Sequence, residues 1–178
     1  MFRQVADGVL LMLAENPGAF PARFGRVAEV LQRRADRLAF DAEWYAAAYP
    51  DAVVAVEAGL FADLRQHFRE QGVLCGRIGA PMRVEEAWYL GTYPEAAAAV
   101  AVAGFPCAQA HFRFRGFFEG LAASPRHRVD EGWYGESYPQ SRLEVELGYY
   151  RSLQDHYNRI GYGLGFRAAP SGGGGRAN

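Results

Sequence analysis

Three histidines recur at a fixed distance after a tryptophan, and imidazole is a frequent zinc ligand. The interval is 23 residues in each of the pairs Trp44 and His67, Trp88 and His111, and Trp133 and His156. Zinc needs ligands about 2 Å from one point, whereas equivalent positions on packed helices lie at least ~8 Å apart. The spacing therefore predicts neither a metal site nor a catalytic site. It favours a half-buried imidazole that bonds a backbone group or a Tyr hydroxyl of its own repeat.

Two rows of tyrosines recur with the same period. They are Tyr45, Tyr89 and Tyr134 after the tryptophans, and Tyr49, Tyr93 and Tyr138 before a proline. An aromatic ring can stack on the apolar face of a sugar, so the rows could line a glycan-binding groove. Aromatic side chains also bury large areas and commonly build cores, and this interpretation is favoured for the set, most strongly for the tryptophans. The hydroxyls favour exposure of the tyrosines, which are the candidate ligand or partner contacts.

Other recognisable site chemistry is not indicated. The glycine-rich run Gly161 to Gly165 follows a predicted helix rather than a strand, which excludes a dinucleotide loop. The acid pairs Glu85-Glu86 and Asp130-Glu131 fall at predicted helix starts. The sequence contains no nucleophile elbow, phosphate loop or Cys-x-x-Cys. We therefore expect no cofactor and no enzyme activity.

Composition points to an ordinary packed domain. The chain has 178 residues, is 50% hydrophobic and carries a formal net charge of −1. Its 19 basic residues are all arginine, and they are not clustered strongly enough to predict a nucleic-acid partner. Cys75 and Cys107 occupy non-equivalent positions, which predicts free thiols in a reducing compartment. The apolar run at 9–14 is too short for a membrane span, so we expect a cytoplasmic protein.

The histidines and aromatic residues belong to a repeat that covers most of the chain. Its period is 44 and then 45 residues, which predicts an array whose units bury apolar faces against their neighbours. We call the three repeats unit 1, unit 2 and unit 3. The predicted boundaries are a helical cap at 1–39, repeats at 40–78, 84–121 and 129–167, and a disordered tail at 168–178.

Each unit is predicted to contain two or three helices. The first helix begins after the caps Asp41, Glu85 and Asp130, Glu85 being the poorest cap, and ends at the Tyr before Pro. The second helix begins at that Pro, carries the apolar pairs Val54/Ala58, Ala98/Val102 and Leu143/Leu147, and ends at Gly59, Gly104 and Gly148. The third helix carries Phe61/Leu64/Phe68 and their equivalents. It is predicted to stop at Gly72, Gly116 and Gly161.

These patterns predict an all-α protein, a three-unit helical repeat array with an N-terminal helical cap. The residues with a structural role in the repeat are Trp44, His67, Gly72, Trp88, His111, Gly116, Trp133, His156 and Gly161.

The units resemble a family of bacterial repeats. The family pattern is roughly [F/V]-D-x-x-W/Y-Y-L-x-x-Y/N-P-D-V-A-x-A, followed by H-Y/F-x3-G-x3-G-R. The stretch from Val84 to Glu95 is the nearest match, and the resemblance covers residue 40 to about residue 166. Unit 3 departs from the pattern at 135–137, and units 2 and 3 lack the final Gly-Arg.

Such repeats accompany polysaccharide-biosynthesis proteins, where they flank glycosyltransferase domains, and occur in some large surface proteins. The resemblance implies an accessory role beside glycan-building machinery and supplies no catalytic residue. We therefore expect a non-enzymatic interaction or scaffold module that binds a protein partner, a glycosyltransferase or an export component. The alternative is a glycan-binding module that uses the tyrosine rows.

Overall fold

The protein is all-α, as predicted. The computed structural model describes residues 32–33, 35–102 and 104–170, and these ranges contain helices and no β-strand. Most of the predicted N-terminal cap and tail residues 171–178 lie outside the described residues. The end of the cap segment is held to unit 1 by Arg65, whose guanidinium donates to the carbonyl oxygens of Ala35, Asp36 and Leu38.

The same three α-helices follow one another in each unit, and unit 2 has a short fourth helix. In unit 1, α1 spans Ala42–Ala48, α2 spans Pro50–Glu57 and α3 spans Leu64–His67. In unit 2, α4 spans Glu86–Thr92, α5 spans Pro94–Ala101, α6 spans Ala108–His111 and α7 spans Phe117–Glu119. In unit 3, α8 spans Glu131–Ser137, α9 spans Pro139–Glu146 and α10 spans Leu153–His156. Short 3-10 turns occur at Val73–Cys75 and Pro125–His127.

Local sequence signals set the helix starts. The Asp41 carboxylate accepts a hydrogen bond from the Trp44 amide at 3.0 Å, and Asp130 accepts from the Trp133 amide at the same distance. The longer Glu85 side chain makes no such capping bond. A proline opens each second helix, because its missing N–H costs nothing at the first helical position. These predicted starts are confirmed.

The third helices differ from the prediction at both ends. Phe61 and its equivalents precede them, and after one α-turn the chain continues as a five-residue π-helix in every unit. These π-helices are Phe68–Gly72, Phe112–Gly116 and Tyr157–Gly161. The predicted stops at Gly72, Gly116 and Gly161 are therefore wrong. The helical path ends at left-handed glycines one turn later, Gly76, Gly120 and Gly165, with φ of 77°, 77° and 78°.

The second helices end as predicted in two units only. Gly59 and Gly148 adopt φ of 75° and 77°, the left-handed conformation that ends a helix without steric strain. Gly104 does not adopt a positive φ, because it lies one position beyond the equivalent place in the repeat.

Each unit closes on itself through its trailing segment. The amides of Asp41, Glu85 and Asp130 donate to carbonyl oxygens 38 residues later, those of Gly79, Ala123 and Ala168, at 2.9, 3.0 and 2.9 Å. In units 2 and 3 a glutamine of the third helix holds the segment that enters the unit, with Gln154 accepting from the Val129 amide and donating to the His127 carbonyl. Ala168 is buried, so the predicted disorder does not begin at 168.

Unit 3 contacts both other units. Arg151 of unit 3 donates to the Phe118 carbonyl of unit 2 at 2.7 Å. The Tyr49 hydroxyl of unit 1 donates to the Arg159 carbonyl of unit 3 at 3.0 Å, and Arg159 Nη1 donates to the Ala48 carbonyl at 3.3 Å. In an open linear array each unit would touch only its sequence neighbours, so the chain folds back on itself.

Candidate functional site

A buried tyrosine–histidine pair forms the centre of every unit. The three hydroxyls lie 3.1, 2.9 and 2.9 Å from the histidine Nδ1 atoms in the pairs Tyr45/His67, Tyr89/His111 and Tyr134/His156. The tyrosines are 0% exposed and the histidines at most 4%. A ring from the turn before the third helix packs edge-on against each imidazole, at 4.9 to 5.0 Å between centroids. The predicted hydrogen bond within each unit is confirmed.

The recurring glycine of the π-helix makes room for this pair. A Cβ added at Gly72, Gly116 or Gly161 would overlap the hydroxyl of Tyr45, Tyr89 or Tyr134. Gly116 has φ −60°, which any residue adopts, so close approach rather than backbone conformation requires glycine there. The three glycines serve the core and do not stop a helix.

Burial keeps both partners of each pair neutral. It lowers the pKa of His67 and His156 to about 4 and also lowers the pKa of His111. It raises the pKa of all three partner tyrosines well above the usual 10. The Glu144 carboxylate lies 3.3 Å from His156 Nε2, and burial still dominates the direction of that shift. Each pair acts as a neutral structural hydrogen bond.

The second tyrosine row fixes the trailing segment of each unit. The hydroxyls of Tyr49, Tyr93 and Tyr138 accept hydrogen bonds from the amides of Ile78, Ala122 and Arg167 at 3.2, 3.0 and 3.0 Å. Tyr49 is 6% exposed, and Tyr93 and Tyr138 are half-buried. Burial raises the pKa of Tyr49 to about 12. Both rows therefore use their hydroxyls inside the fold, and the expectation that these hydroxyls reach the surface is wrong.

The repeat pattern ends in Gly-Arg, and units 2 and 3 lack that arginine. The structure shows what takes its place in unit 3. In unit 1 the Arg77 guanidinium lies 5.0 Å from the centroid of the Tyr49 ring and pairs with Asp51. In unit 3 Phe166 takes that place and stacks on Tyr138 at 4.1 Å with an interplanar angle of 1°. Arg77 and Phe166 thus pack on the equivalent tyrosine of their own units. The packing of that ring is therefore kept in unit 3 although the arginine is lost.

Side chains of the third helical segment of unit 2 join it to unit 1. Arg113 donates through Nε and Nη2 to both carboxylate oxygens of Asp41 at 2.7 and 2.8 Å, and Nη2 also donates to Glu43 at 2.8 Å. Four residues later, Phe117 packs edge-on against Trp44 at 4.8 Å and leaves that tryptophan 2% exposed. Hydrogen bonding to Arg113 lowers the pKa of Asp41. Nothing in the local sequence pattern singles out Arg113 as the residue that joins the units.

We expect Arg113→Ala to lower the free energy of unfolding by about 1–2 kcal/mol, because a partly buried bidentate pair is lost. Urea unfolding followed by tryptophan fluorescence measures the change. Arg115→Ala is the matched control, since Arg115 pairs with Glu119, four residues later in the same exposed segment, and should cost less than about 0.5 kcal/mol. Equal effects of the two substitutions would contradict a role for Arg113 in joining the units.

The apolar pairs of the second helices lie at the surface. Val54 and Leu143 share one repeat position and are 64% and 45% exposed, and Val102 and Leu147 share another and are 79% and 55% exposed. Leu60, just beyond α2, is 71% exposed. We call these five side chains the outer row. The faces that bury instead hold Ala52, Ala96 and Ser141, so the array prediction misplaced the buried side of this helix.

Three further features concern the cysteines, metal-binding groups and membrane-spanning helices. Cys75 and Cys107 are not joined in a disulfide, as predicted. Within the described ranges, no three His, Cys, Asp or Glu side chains come together as a metal-binding group. None of the helices described is long and apolar enough to cross a bilayer.

The fold and these sites define an all-α protein whose recurring polar side chains serve its own core. Comparison of the chain with protein-family models, with curated proteins and with solved structures finds no match.

Proposed function

We propose that the chain is a three-unit helical repeat that works as a non-enzymatic interaction module. The observation that carries the proposal is the outer row. At two positions of the repeat an exposed leucine or valine occurs in two of the three units, and exposed apolar surface is typical of protein interaction sites. Repeat proteins commonly use such recurring surface positions to bind partners.

The burial and hydrogen bonding of the repeated histidines support a binding role over an enzymatic one. A general acid or base works best with a pKa near the operating pH and within reach of substrate. His67, His111 and His156 are neutral, buried and already bonded to a tyrosine. The glycan-binding alternative relied on surface-exposed Tyr45, Tyr89 and Tyr134, and their burial removes that groove.

The proposed partner is a component of cell-surface polysaccharide assembly, a glycosyltransferase or an export protein in the cytoplasm. This part of the proposal rests on the resemblance of the units to repeats that accompany such machinery. The apolar outer row, which has Glu57 and Glu146 on the same helices, would suit an apolar partner surface with a basic rim.

The test is affinity capture from native lysate with the full chain, followed by mass spectrometry. We expect a glycosyltransferase or export component to be enriched, and Leu143→Ser/Leu147→Ser to abolish the enrichment while circular dichroism stays unchanged. Leu38→Ser is the matched control, since Leu38 is 41% exposed but lies outside the second helices. Enrichment of neither class, or enrichment unaffected by the double substitution, would overturn the proposal.

A further inference from the structure

The contact between units 1 and 2 shows what covers one face of a unit. The covered face of unit 1 presents Asp41, Glu43 and Trp44 from the start of α1. The covering helical segment presents Arg113 to the acids and, four residues later, Phe117 to the indole ring. The contact combines a bidentate ion pair with an edge-on aromatic pair, two interactions of defined geometry.

The same face of unit 3 keeps the aspartate and the tryptophan but not the second acid, and among the described residues nothing covers it as unit 2 covers unit 1. Asp130 and Trp133 stand where unit 1 has Asp41 and Trp44, and the Asp130 capping bond has the same length, 3.0 Å. Asp130 is exposed and Trp133 is half-buried, whereas Trp44 is 2% exposed. Among the described residues, Tyr138 of the same unit supplies the only ring in contact with Trp133.

The acidic side chains of the face can contact a cationic segment, and Arg142 of the same unit donates to the backbone of the helix that carries them. Glu131 is exposed next to Asp130, and the capping bond holds the Asp130 carboxylate at a defined position. The exposed Arg167 guanidinium lies 5.6 Å from the Trp133 ring centroid, so the indole already has a cation beside it. An arginine from outside can reach Asp130 while an aromatic ring packs on the remaining edge of Trp133.

We propose that the Asp130–Trp133 face binds a helical segment of another protein that carries an arginine and, four residues later, a phenylalanine. The inference rests on the proposed interaction function and defines a second contact with its own chemistry. A second copy of the chain is a poor source. Arg113 is the only arginine followed four residues later by an aromatic residue, and it is already engaged with Asp41.

The corresponding face of unit 2 is the internal control. Glu85 replaces the aspartate there and makes no capping bond, so its carboxylate is not held for a bidentate contact. Unit 3 does not cover that face as unit 2 covers unit 1, because Asn158 and Tyr162 stand where Arg113 and Phe117 would be needed. Asn158 donates instead to the Leu121 carbonyl at 2.8 Å.

The test uses a fluorescein-labelled peptide with the sequence of residues 108–121, held helical by a lactam staple on the face opposite Arg113 and Phe117. Its binding to the full chain is measured by fluorescence anisotropy. We expect saturable binding that weakens about ten-fold in Asp130→Asn, which removes the charge but keeps a good helix cap. A peptide with Phe117→Ala should weaken similarly, and Glu85→Gln in the protein should leave binding unchanged.

Three results would overturn the inference: no saturable binding, unchanged binding to Asp130→Asn, or a loss of binding in Glu85→Gln. Concentration-dependent dimerisation that Asp130→Asn abolishes would overturn it too, because the occupant would then be a second copy. The Leu143→Ser/Leu147→Ser protein separates this contact from the outer row. It should bind the peptide as the native protein does. If the peptide does not bind, the outer-row proposal is unaffected, and if the lysate capture fails, the proposal for the Asp130–Trp133 face is unaffected.

Discussion

Lowering the pH from 7.5 to 5 is expected to reduce the free energy of unfolding by several kcal/mol, well before most carboxylates titrate. Burial holds the pKa of His67 and His156 at about 4 in the folded protein, against about 6.5 in an unfolded chain. Each of the two then contributes on the order of 2 kcal/mol to the loss at pH 5. Burial lowers the pKa of His111 and His127 as well, so all four histidines act in the same direction.

The sign follows from proton binding. Between pH 6.5 and 4 the unfolded chain takes up protons on these imidazoles that the native protein does not, so acid favours unfolding. The stabilisation is complete above about pH 6.5 and is lost as the pH falls towards 4. Urea unfolding at pH 7.5, 6 and 5 measures it. His156→Gln should reduce the loss of unfolding free energy between pH 7.5 and 5 by about the contribution of one histidine. A free energy of unfolding that does not change over this pH range would contradict neutral, buried imidazoles.

Gly116→Ala is expected to destabilise the protein by about 3 kcal/mol or more. The new Cβ would overlap the Tyr89 hydroxyl, and neither the hydroxyl nor the helix can move without breaking the bond to His111. Overpacking in a close-packed core costs about 1–3 kcal/mol, and loss of a buried hydrogen bond adds to it. Thermal and urea unfolding measure the change.

A double-mutant cycle separates this clash from a general intolerance of alanine. Tyr89→Phe removes the overlapping oxygen, so Gly116→Ala in that background should cost at least about 1 kcal/mol less than in the native protein. Gly91→Ala is the matched control, because Gly91 is helical and nothing lies within 4 Å of an added Cβ. That substitution should be neutral or stabilise by about 0.5–1 kcal/mol. Additive effects of Gly116→Ala and Tyr89→Phe would show that the hydroxyl is not the obstacle.

Short-range features of this chain were predictable because their causes lie within a few residues. Asp41 and Asp130 cap the first helices and a proline opens each second helix, and both follow from the backbone bonding needs at a helix start. The tyrosine–histidine bond was also predictable, because a buried imidazole needs a partner and the repeat offers a hydroxyl in the same unit. The glutamines Gln109 and Gln154, which hold the segment that enters their own unit, carried the same repeat signal but were overlooked.

The side of the second helix that is buried was predicted wrongly. Leucine at 143 and 147 suggested a core stripe, yet the core takes Ser141 from the same helix. Hydrophobic spacing shows which residues share a face but not where neighbouring units lie. An eight-residue helix with apolar residues on several sides leaves that choice to the tertiary packing.

The sequence by itself determined the helical class, the starts of the first and second helices and a hydrogen bond of each histidine within its own unit, because those depend on local bonding and on one repeated pattern. Only the tertiary structure decided why Gly72, Gly116 and Gly161 are glycine, since the hydroxyl that needs their space comes from another helix. It also decided that Arg113 joins two units and that Arg159 of unit 3 meets unit 1. These contacts join residues of different units about 70 and 110 positions apart, so local propensity could not place them, and a pattern shared by the units does not show how the units pack together.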